Sequence, residues 1–183
     1  MKPLALTLLL AVPLLGACAS DASGAPDWAA AANREPDADS LHAVARLYVA
    51  QGRDREAEAS LRQVLDRDPG FLPAYEELAR LYVRRELLDG AIAALELGLR
   101  QDAQDPVLLN DLGLCRLLQH DLRGATEAFT RAAGASPDDT RPRANLALAL
   151  ALLGRDEEAL ALWQQLLPSA EAAANVALVA ASR

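Results

Sequence analysis

A chain of 183 residues, of which 52% are hydrophobic and 24% charged, is long enough for one folded domain, and this composition excludes a disordered protein. The formal net charge is −8, and the arginines, which apart from Lys2 supply all of the positive charge, alternate with carboxylates along the chain. A clustered excess of positive charge that could neutralise phosphates is therefore missing, which argues against nucleic acid as a partner. The hydrophobic residues are mainly Ala and Leu, which favour helix, so we expect an all-α fold.

The chain begins with the pattern of an export signal. Lys2 gives a positive start, the run from Leu4 to Leu15 is mostly apolar, and the small residues Gly16 and Ala17 follow. As a helix, this run would reach only about 18 Å, too short for a hydrocarbon core of about 30 Å. We therefore predict that residues 1–17 form a signal peptide, which is removed.

The next residues add a lipid anchor to this prediction. The run Leu15-Gly16-Ala17-Cys18 resembles the lipobox of bacterial lipoproteins, in which the Cys is lipidated and becomes the first residue of the mature chain. The resemblance implies three acyl chains and stable attachment to a membrane. Ala19 lies where an Asp would, by the same family rule, mark retention in the inner membrane. This implies the periplasmic side of the outer membrane; the alternative is a secreted protein with a chance Cys.

Residues 18–37 are predicted to be a tether that starts at the lipidated Cys18. They mix Ser, Gly, Pro and Asp with little apolar periodicity, which is typical of a flexible linker. Trp28 is the exception, and it either caps the folded part, dips into the membrane interface or rests on the nearest apolar surface.

A period of 34 residues runs through the rest of the chain. The recurring positions are Leu41, Tyr75, Leu109 and Arg143; Val44, Leu78, Leu112 and Leu146; Ala45, Ala79, Gly113 and Ala147; Tyr48, Tyr82, Arg116 and Leu150; Ala57, Ala91, Ala125 and Ala159; and Leu61, Leu95, Phe129 and Trp163. This pattern resembles the tetratricopeptide repeat (TPR). The small residues are expected where two helices cross closely, and the large ones fill the space beside them.

The resemblance implies a right-handed solenoid of about four helix-turn-helix repeats with a C-terminal capping helix. The repeats are predicted at residues 38–71, 72–105, 106–139 and 140–168, and the capping helix at 169–183, where Ala174-Asn175-Val176-Ala177 echoes the start of repeat four.

Turn and helix-start signals fall at consistent places in the repeats. Gly makes the turn inside repeats one and four, whereas Glu86 and His120 replace it in the other two. Asp54 and Asp156 are predicted to cap the second helices of their repeats. The first turns of the later first helices are predicted at Pro73, Pro106 and Pro142.

Residue types that carry chemistry are scattered. His42 and His120 lie far apart, and neither has a second metal ligand at a suitable spacing. Cys115 lies among leucines, so packing is its expected role. Neither a Gly-rich phosphate loop nor a Gly-x-Ser-x-Gly motif occurs. We therefore expect no enzymatic activity, metal, cofactor or small-molecule substrate.

The resemblance also implies where a protein partner binds. In TPR solenoids the first helices line a groove, and its exposed positions are the fifth, ninth, twelfth and thirteenth of each repeat. Repeats one and two place a mixed polar wall there, whose basic members are Arg46, Arg80 and Arg84. Repeats three and four make the groove apolar, and the predicted binding residues there are Asn110, Leu114, Leu117, Leu118, Asn145, Leu148 and Leu152.

An amphipathic helix or an extended apolar peptide suits these leucines, with Asn110 and Asn145 placed to bond its backbone. Capture of a terminal carboxylate is disfavoured because Glu77 and Asp111 lie where its neutral and basic contacts would be. The alternative for the leucines is that the capping helix folds over them.

The last repeat, with Arg143 to Leu148 reading RANLAL, and the tail resemble the TPR lipoprotein of the tight-adherence (Flp, Tad) pilus system. This implies a periplasm-facing accessory that helps a secretin or its neighbours to assemble. Two alternatives remain: a pilotin-like accessory of a type IV pilus or type II secretion system, and an adaptor that recruits cell-wall enzymes.

Overall fold

The computed structural model describes residues 35–183. The predictions for the signal peptide, Cys18, Trp28 and the tether up to residue 34 lie outside the described residues.

All regular structure between residues 35 and 183 is helical. The helices are α1 (Ala38–Ala50), α2 (Asp54–Arg67), α3 (Leu72–Arg84), α4 (Leu88–Leu99), α5 (Pro106–Leu118), α6 (Leu122–Ala135), α7 (Thr140–Leu152), α8 (Asp156–Gln164) and α9 (Ser169–Ser182). None of them is long and apolar enough to span a membrane.

The helices of this part of the chain pack as successive hairpins. α1 pairs with α2, α3 with α4, α5 with α6 and α7 with α8, and each hairpin stacks on the next through its neighbouring helices. α9 packs on both α8 and α7, the place that the first helix of another hairpin would take. The predicted all-α stack of helix-turn-helix units with a terminal helix is confirmed.

Each hairpin turns through one residue in the left-handed conformation. These residues, spaced by 34, are Gly52 (φ 70°), Glu86 (φ 59°), His120 (φ 62°) and Gly154 (φ 79°). In every case the N–H of this residue donates to the carbonyl three residues back, and the next N–H donates to the carbonyl five residues back. This is the Schellman arrangement that ends a helix. Glu86 and His120 therefore adopt a backbone conformation that strains a residue with a Cβ.

The prediction that Asp54 and Asp156 cap second helices is wrong. The N-cap residues of α2 and α8 are Arg53 and Arg155, and neither makes a side-chain cap bond. The Schellman turn places the cap directly after its left-handed residue, so each Asp is already the first helical residue. The carboxylate of Asp54 instead accepts from Arg84, at 2.9 Å. Asp caps are found on other helices, at Asp37, Asp105, Asp121 and Asp139.

The predicted proline positions are confirmed, because Pro73, Pro106 and Pro142 all lie in the first turn of their helices. There a missing N–H removes no helical hydrogen bond.

The predicted pattern of small and large core residues is also confirmed. The small residues of the close helix crossings are buried: Ala45, Ala57, Ala79, Ala91, Gly113, Ala125, Ala147 and Ala159. The large residues one turn later are buried as well: Leu61, Leu95, Phe129 and Trp163. The crossing at Gly113 leaves no room for a larger residue, because a Cβ there would lie 2.4 Å from Cε1 of Phe129.

Candidate functional site

The first helices of the hairpins line the inner side of the stack. α3 contacts α5, and α5 contacts α7, whereas the second helices described here do not pack on one another to the same extent. Because the first helices lie closer together, the stack curves towards them, and their free side is concave.

Side-chain contacts join the first helices across this concave side. Nε of Arg46 on α1 lies 3.7 Å from Oε1 of Glu77 on α3. Nε of Arg80 on α3 lies 4.0 Å from Oδ2 of Asp111 on α5. We call this surface the groove face and define it as His42, Arg46, Glu76, Glu77, Arg80, Val107, Asn110, Asp111, Leu114, Leu118, Asn145, Leu148 and Leu152.

The part of the groove face on α1 and α3 is charged, and its guanidinium groups lie outermost. The side chains of Arg46 and Arg80 are 70% and 60% exposed. Those of Glu76, Glu77 and Asp111 are 21%, 18% and 18% exposed. Burial raises the pKa of Glu76 and of Asp111, and the nearby Arg80 opposes this rise. A molecule that approaches this part of the groove therefore meets the arginines first.

Arg84, the third predicted basic residue, is directed away from these contacts. Its Nη2 lies 2.9 Å from Oδ1 of Asp54, the first residue of α2. Arg84 therefore ties the end of α3 to the second helix of the preceding hairpin.

The two asparagines of the predicted site bond each other. Nδ2 of Asn145 donates to Oδ1 of Asn110 at 2.9 Å, which links α7 to α5. A side-chain amide can make further bonds, so this pair still offers donors and acceptors to a partner backbone. Its first effect, however, is to hold two first helices in register.

The α5 part of the groove face carries an exposed apolar stripe. Val107, Leu114 and Leu118 are 38%, 37% and 55% exposed. Their spacing of seven and four residues places them on one side of the helix, beside Asn110 and Asp111. We call these three residues the α5 stripe. Sequence reasoning missed Val107, although its spacing of seven from Leu114 was a signal.

The other predicted leucines are partly used by internal packing. Leu117 packs against the cluster around Phe129. Leu148 packs in the C-terminal cluster, to which α9 contributes Ala172 and Val176. Leu152 is half-buried. Of the two alternatives for the groove leucines, packing with the terminal helix therefore applies to Leu148, which lies in the cluster that α9 joins.

The remaining candidates for chemistry do not assemble into a reactive group. Cys115 is 4% exposed, and burial raises the pKa of its thiol to about 11. Residues 35–183 contain no group of His, Cys, Asp and Glu side chains placed to hold a metal ion.

Comparisons with known proteins agree with this architecture. The profile of the tetratricopeptide repeat family matches residues 48–110. No curated protein sequence matches the chain significantly.

Several solved structures share the fold. YrrB, described as a TPR protein with an unusual peptide-binding site, is 24% identical with a TM-score of 0.69, over 85% of this chain and 82% of YrrB. PilF of Pseudomonas aeruginosa is 20% identical with a TM-score of 0.66, over 78% of this chain and 67% of PilF. The first TPR of Spaghetti (RPAP3), bound to the HSP90 peptide SRMEEVD, is 19% identical with a TM-score of 0.60, over 64% of this chain and 94% of that one. The fold is that of a TPR solenoid.

Proposed function

We propose that this protein is a scaffold that holds an apolar segment of another protein on the groove face. The observation that carries the proposal is the α5 stripe, three large apolar side chains on the concave side that keep 38%, 37% and 55% of their surface exposed. Fully burying a large apolar side chain contributes about 1.5–3 kcal/mol, so covering the exposed part of each of these three contributes roughly 1 kcal/mol, and together they can anchor an apolar partner.

The fold likenesses support a peptide as the ligand. YrrB is described by its peptide-binding site, and the first TPR of RPAP3 is bound to a peptide. The groove face here also provides the polar Asn110–Asn145 pair beside the stripe, which suits the backbone of a bound segment.

The proposal includes attachment to a membrane. The lipobox around Cys18 supports a lipid anchor, and Ala19 supports the outer membrane, with the scaffold on the periplasmic side. Replacing Cys18 with Ala should abolish labelling by palmitate and release the protein from membranes. Unchanged labelling and membrane retention would contradict the anchor.

The process we propose is assembly of a Flp/Tad pilus apparatus, with a pilus or secretion component such as the secretin as partner. It is supported by the resemblance of the last repeat and the tail to that system's TPR lipoprotein. The second candidate is a pilotin-like accessory of a type IV pilus or type II secretion system, which the fold likeness to PilF favours. An adaptor for cell-wall enzymes remains the third.

The test is capture of the partner by crosslinking in cells, followed by mass spectrometry. The double variant Leu114→Gln, Leu118→Gln removes most of the α5 stripe and should weaken binding by about tenfold to a hundredfold. Its matched control is Leu87→Gln, Leu97→Gln. Leu87 lies directly before α4 and Leu97 lies within it, and their exposures of 46% and 43% are similar to those of Leu114 and Leu118.

Loss of a captured protein in the first variant alone, with an unchanged melting curve, is the expected result. Prepilin or secretin subunits in the crosslinks support the pilus proposal, and cell-wall hydrolases support the adaptor. Capture that survives the Leu114 and Leu118 changes would exclude the α5 stripe as the binding site.

A further inference from the structure

Asp111 lies within the α5 stripe and interrupts its apolar surface. It follows Val107 by four residues and precedes Leu114 by three and Leu118 by seven, so helical spacing places all four residues on one side of α5. The side chain of Asp111 is 18% exposed, so solvent still reaches it. A partner segment that covers the α5 stripe therefore covers this carboxylate as well.

The nearest donors compensate the carboxylate of Asp111 only in part. Nδ2 of Asn110 lies 3.5 Å from Oδ1, at the outer limit of a hydrogen bond, and Nε of Arg80 lies 4.0 Å from Oδ2, beyond that limit. Arg80 also donates to Glu76 through a terminal nitrogen, so one guanidinium group serves two carboxylates. Because an ionised carboxylate has about four acceptor positions, both oxygens of Asp111 can accept further hydrogen bonds.

The charges around Asp111 leave room for a further cation. Burial raises the pKa of Asp111; Arg80, Asn110 and Arg141 oppose this rise without cancelling it, and Asp105 adds to it. The ionised form of Asp111 is therefore less stable in the free protein than in water. A cation placed beside this carboxylate would stabilise its ionised form.

The groove face as a whole also carries more negative than positive charge. Its carboxylates are those of Glu76, Glu77 and Asp111, and its guanidinium groups are those of Arg46 and Arg80. The chain has the same sign, with a formal net charge of −8. Charge complementarity therefore favours a positively charged partner.

We infer that the partner segment is apolar with one basic side chain, a Lys or an Arg, which pairs with Asp111 while its apolar neighbours cover the α5 stripe. This inference rests on the proposed binding function of the groove face and names the chemistry of its ligand. A neutral segment would bury the carboxylate of Asp111 without a counter-charge, which costs free energy. An ammonium or guanidinium group instead forms a charge-assisted hydrogen bond with this carboxylate.

The test uses the purified full chain and three fluorescein-labelled, leucine-rich synthetic peptides that differ only at one central residue, which is Lys, Gln or Glu. Binding is measured by fluorescence anisotropy at low and at physiological salt. At low salt the Lys peptide should bind about tenfold more tightly than the Gln peptide, and the Glu peptide should bind most weakly. These differences should shrink as salt screens the charges.

Substitution of Asp111 separates an effect on binding from an effect on folding. Asp111→Asn should weaken binding of the Lys peptide by about tenfold and remove the preference for Lys over Gln. The same change should keep or raise the melting temperature, because the folded state disfavours the ionised form of Asp111, so the lost binding would not result from unfolding. The matched control is Asp66→Asn, which removes the same charge from an exposed position on α2 and should keep the preference for Lys.

The outcomes are distinct for this inference and for the binding function on which it rests. If the Gln peptide binds as tightly as the Lys peptide, or Asp111→Asn keeps the preference for Lys, the basic partner is wrong. The groove function still stands in that case if Leu114→Gln with Leu118→Gln weakens binding of both peptides. If no peptide binds, or the two leucine changes leave binding of the Lys peptide unchanged, the apolar groove is wrong and this inference is wrong with it.

Discussion

Replacing Gly113 with Ala should destabilise the protein, although Ala is the better helix former. Gly113 lies on α5, where a Cβ would be 2.4, 2.6 and 2.9 Å from three ring atoms of Phe129. The ring cannot move aside easily, because Phe129 is fully buried and packs in one cluster with Ala125 and Ala149. The added methyl group therefore overpacks the crossing of α5 and α6.

The expected size follows from two opposing terms. Overpacking a core costs about 1–3 kcal/mol, and contacts as short as these belong at the upper end. Replacing Gly with Ala inside a helix stabilises the helix by up to about 1 kcal/mol, which opposes this cost. The free energy of unfolding should therefore fall by about 2 kcal/mol, which lowers the melting temperature by about 4–8 °C for a chain of this size.

The assay is thermal and urea denaturation followed by circular dichroism, with Gly134→Ala as the matched control. Gly134 is exposed on α6, and a Cβ there would meet nothing within 4 Å. The control should raise stability by up to about 1 kcal/mol. If both substitutions shift stability in the same direction, the close helix crossing does not require glycine at position 113, and the predicted repeat register is contradicted.

Three further predictions follow from single residues. Gly52→Ala should lower the free energy of unfolding by about 1 kcal/mol: the added Cβ would contact nothing, and only the left-handed backbone conformation is strained. Glu86→Gly removes the same strain and should keep or raise stability. Equal urea midpoints for the two variants would contradict this. Asp111→Asn should stabilise the protein at neutral pH, because burial raises the pKa of Asp111 and the folded state disfavours its ionised form. The gain in stability should vanish as the pH falls through that pKa. Denaturation measured at several pH values tests this. In a Cys18→Ala variant, Cys115 should react with a thiol reagent only when the protein unfolds locally, because the side chain is 4% exposed and burial raises its pKa to about 11. If the folded protein reacted as fast as a free thiol, the burial of Cys115 would be refuted.

Much of the fold could be predicted from local spacing. The 34-residue period predicted the hairpins, and the small residues such as Ala45 and Ala125 predicted where helices cross. The turn at Glu86 was predictable for the same reason, since the Schellman geometry is set by the repeat and tolerates a residue other than Gly. The position of Asp54 could not be predicted in this way. A shift of one residue decides whether it is the N-cap or the first helical residue, and it is the latter.

The sequence alone determined which residues lie on the first helices and share their concave side, because helical spacing and the repeat register fix both. Which of these residues remain exposed depends on the packing of the helices on one another. Leu114 is exposed while Leu148, at the same repeat position, packs in the cluster that includes α9. Arg80 remains on the groove face while Arg84 reaches back to Asp54. These outcomes depend on neighbours about one repeat away along the chain, which stacking brings into contact and which no local pattern encodes.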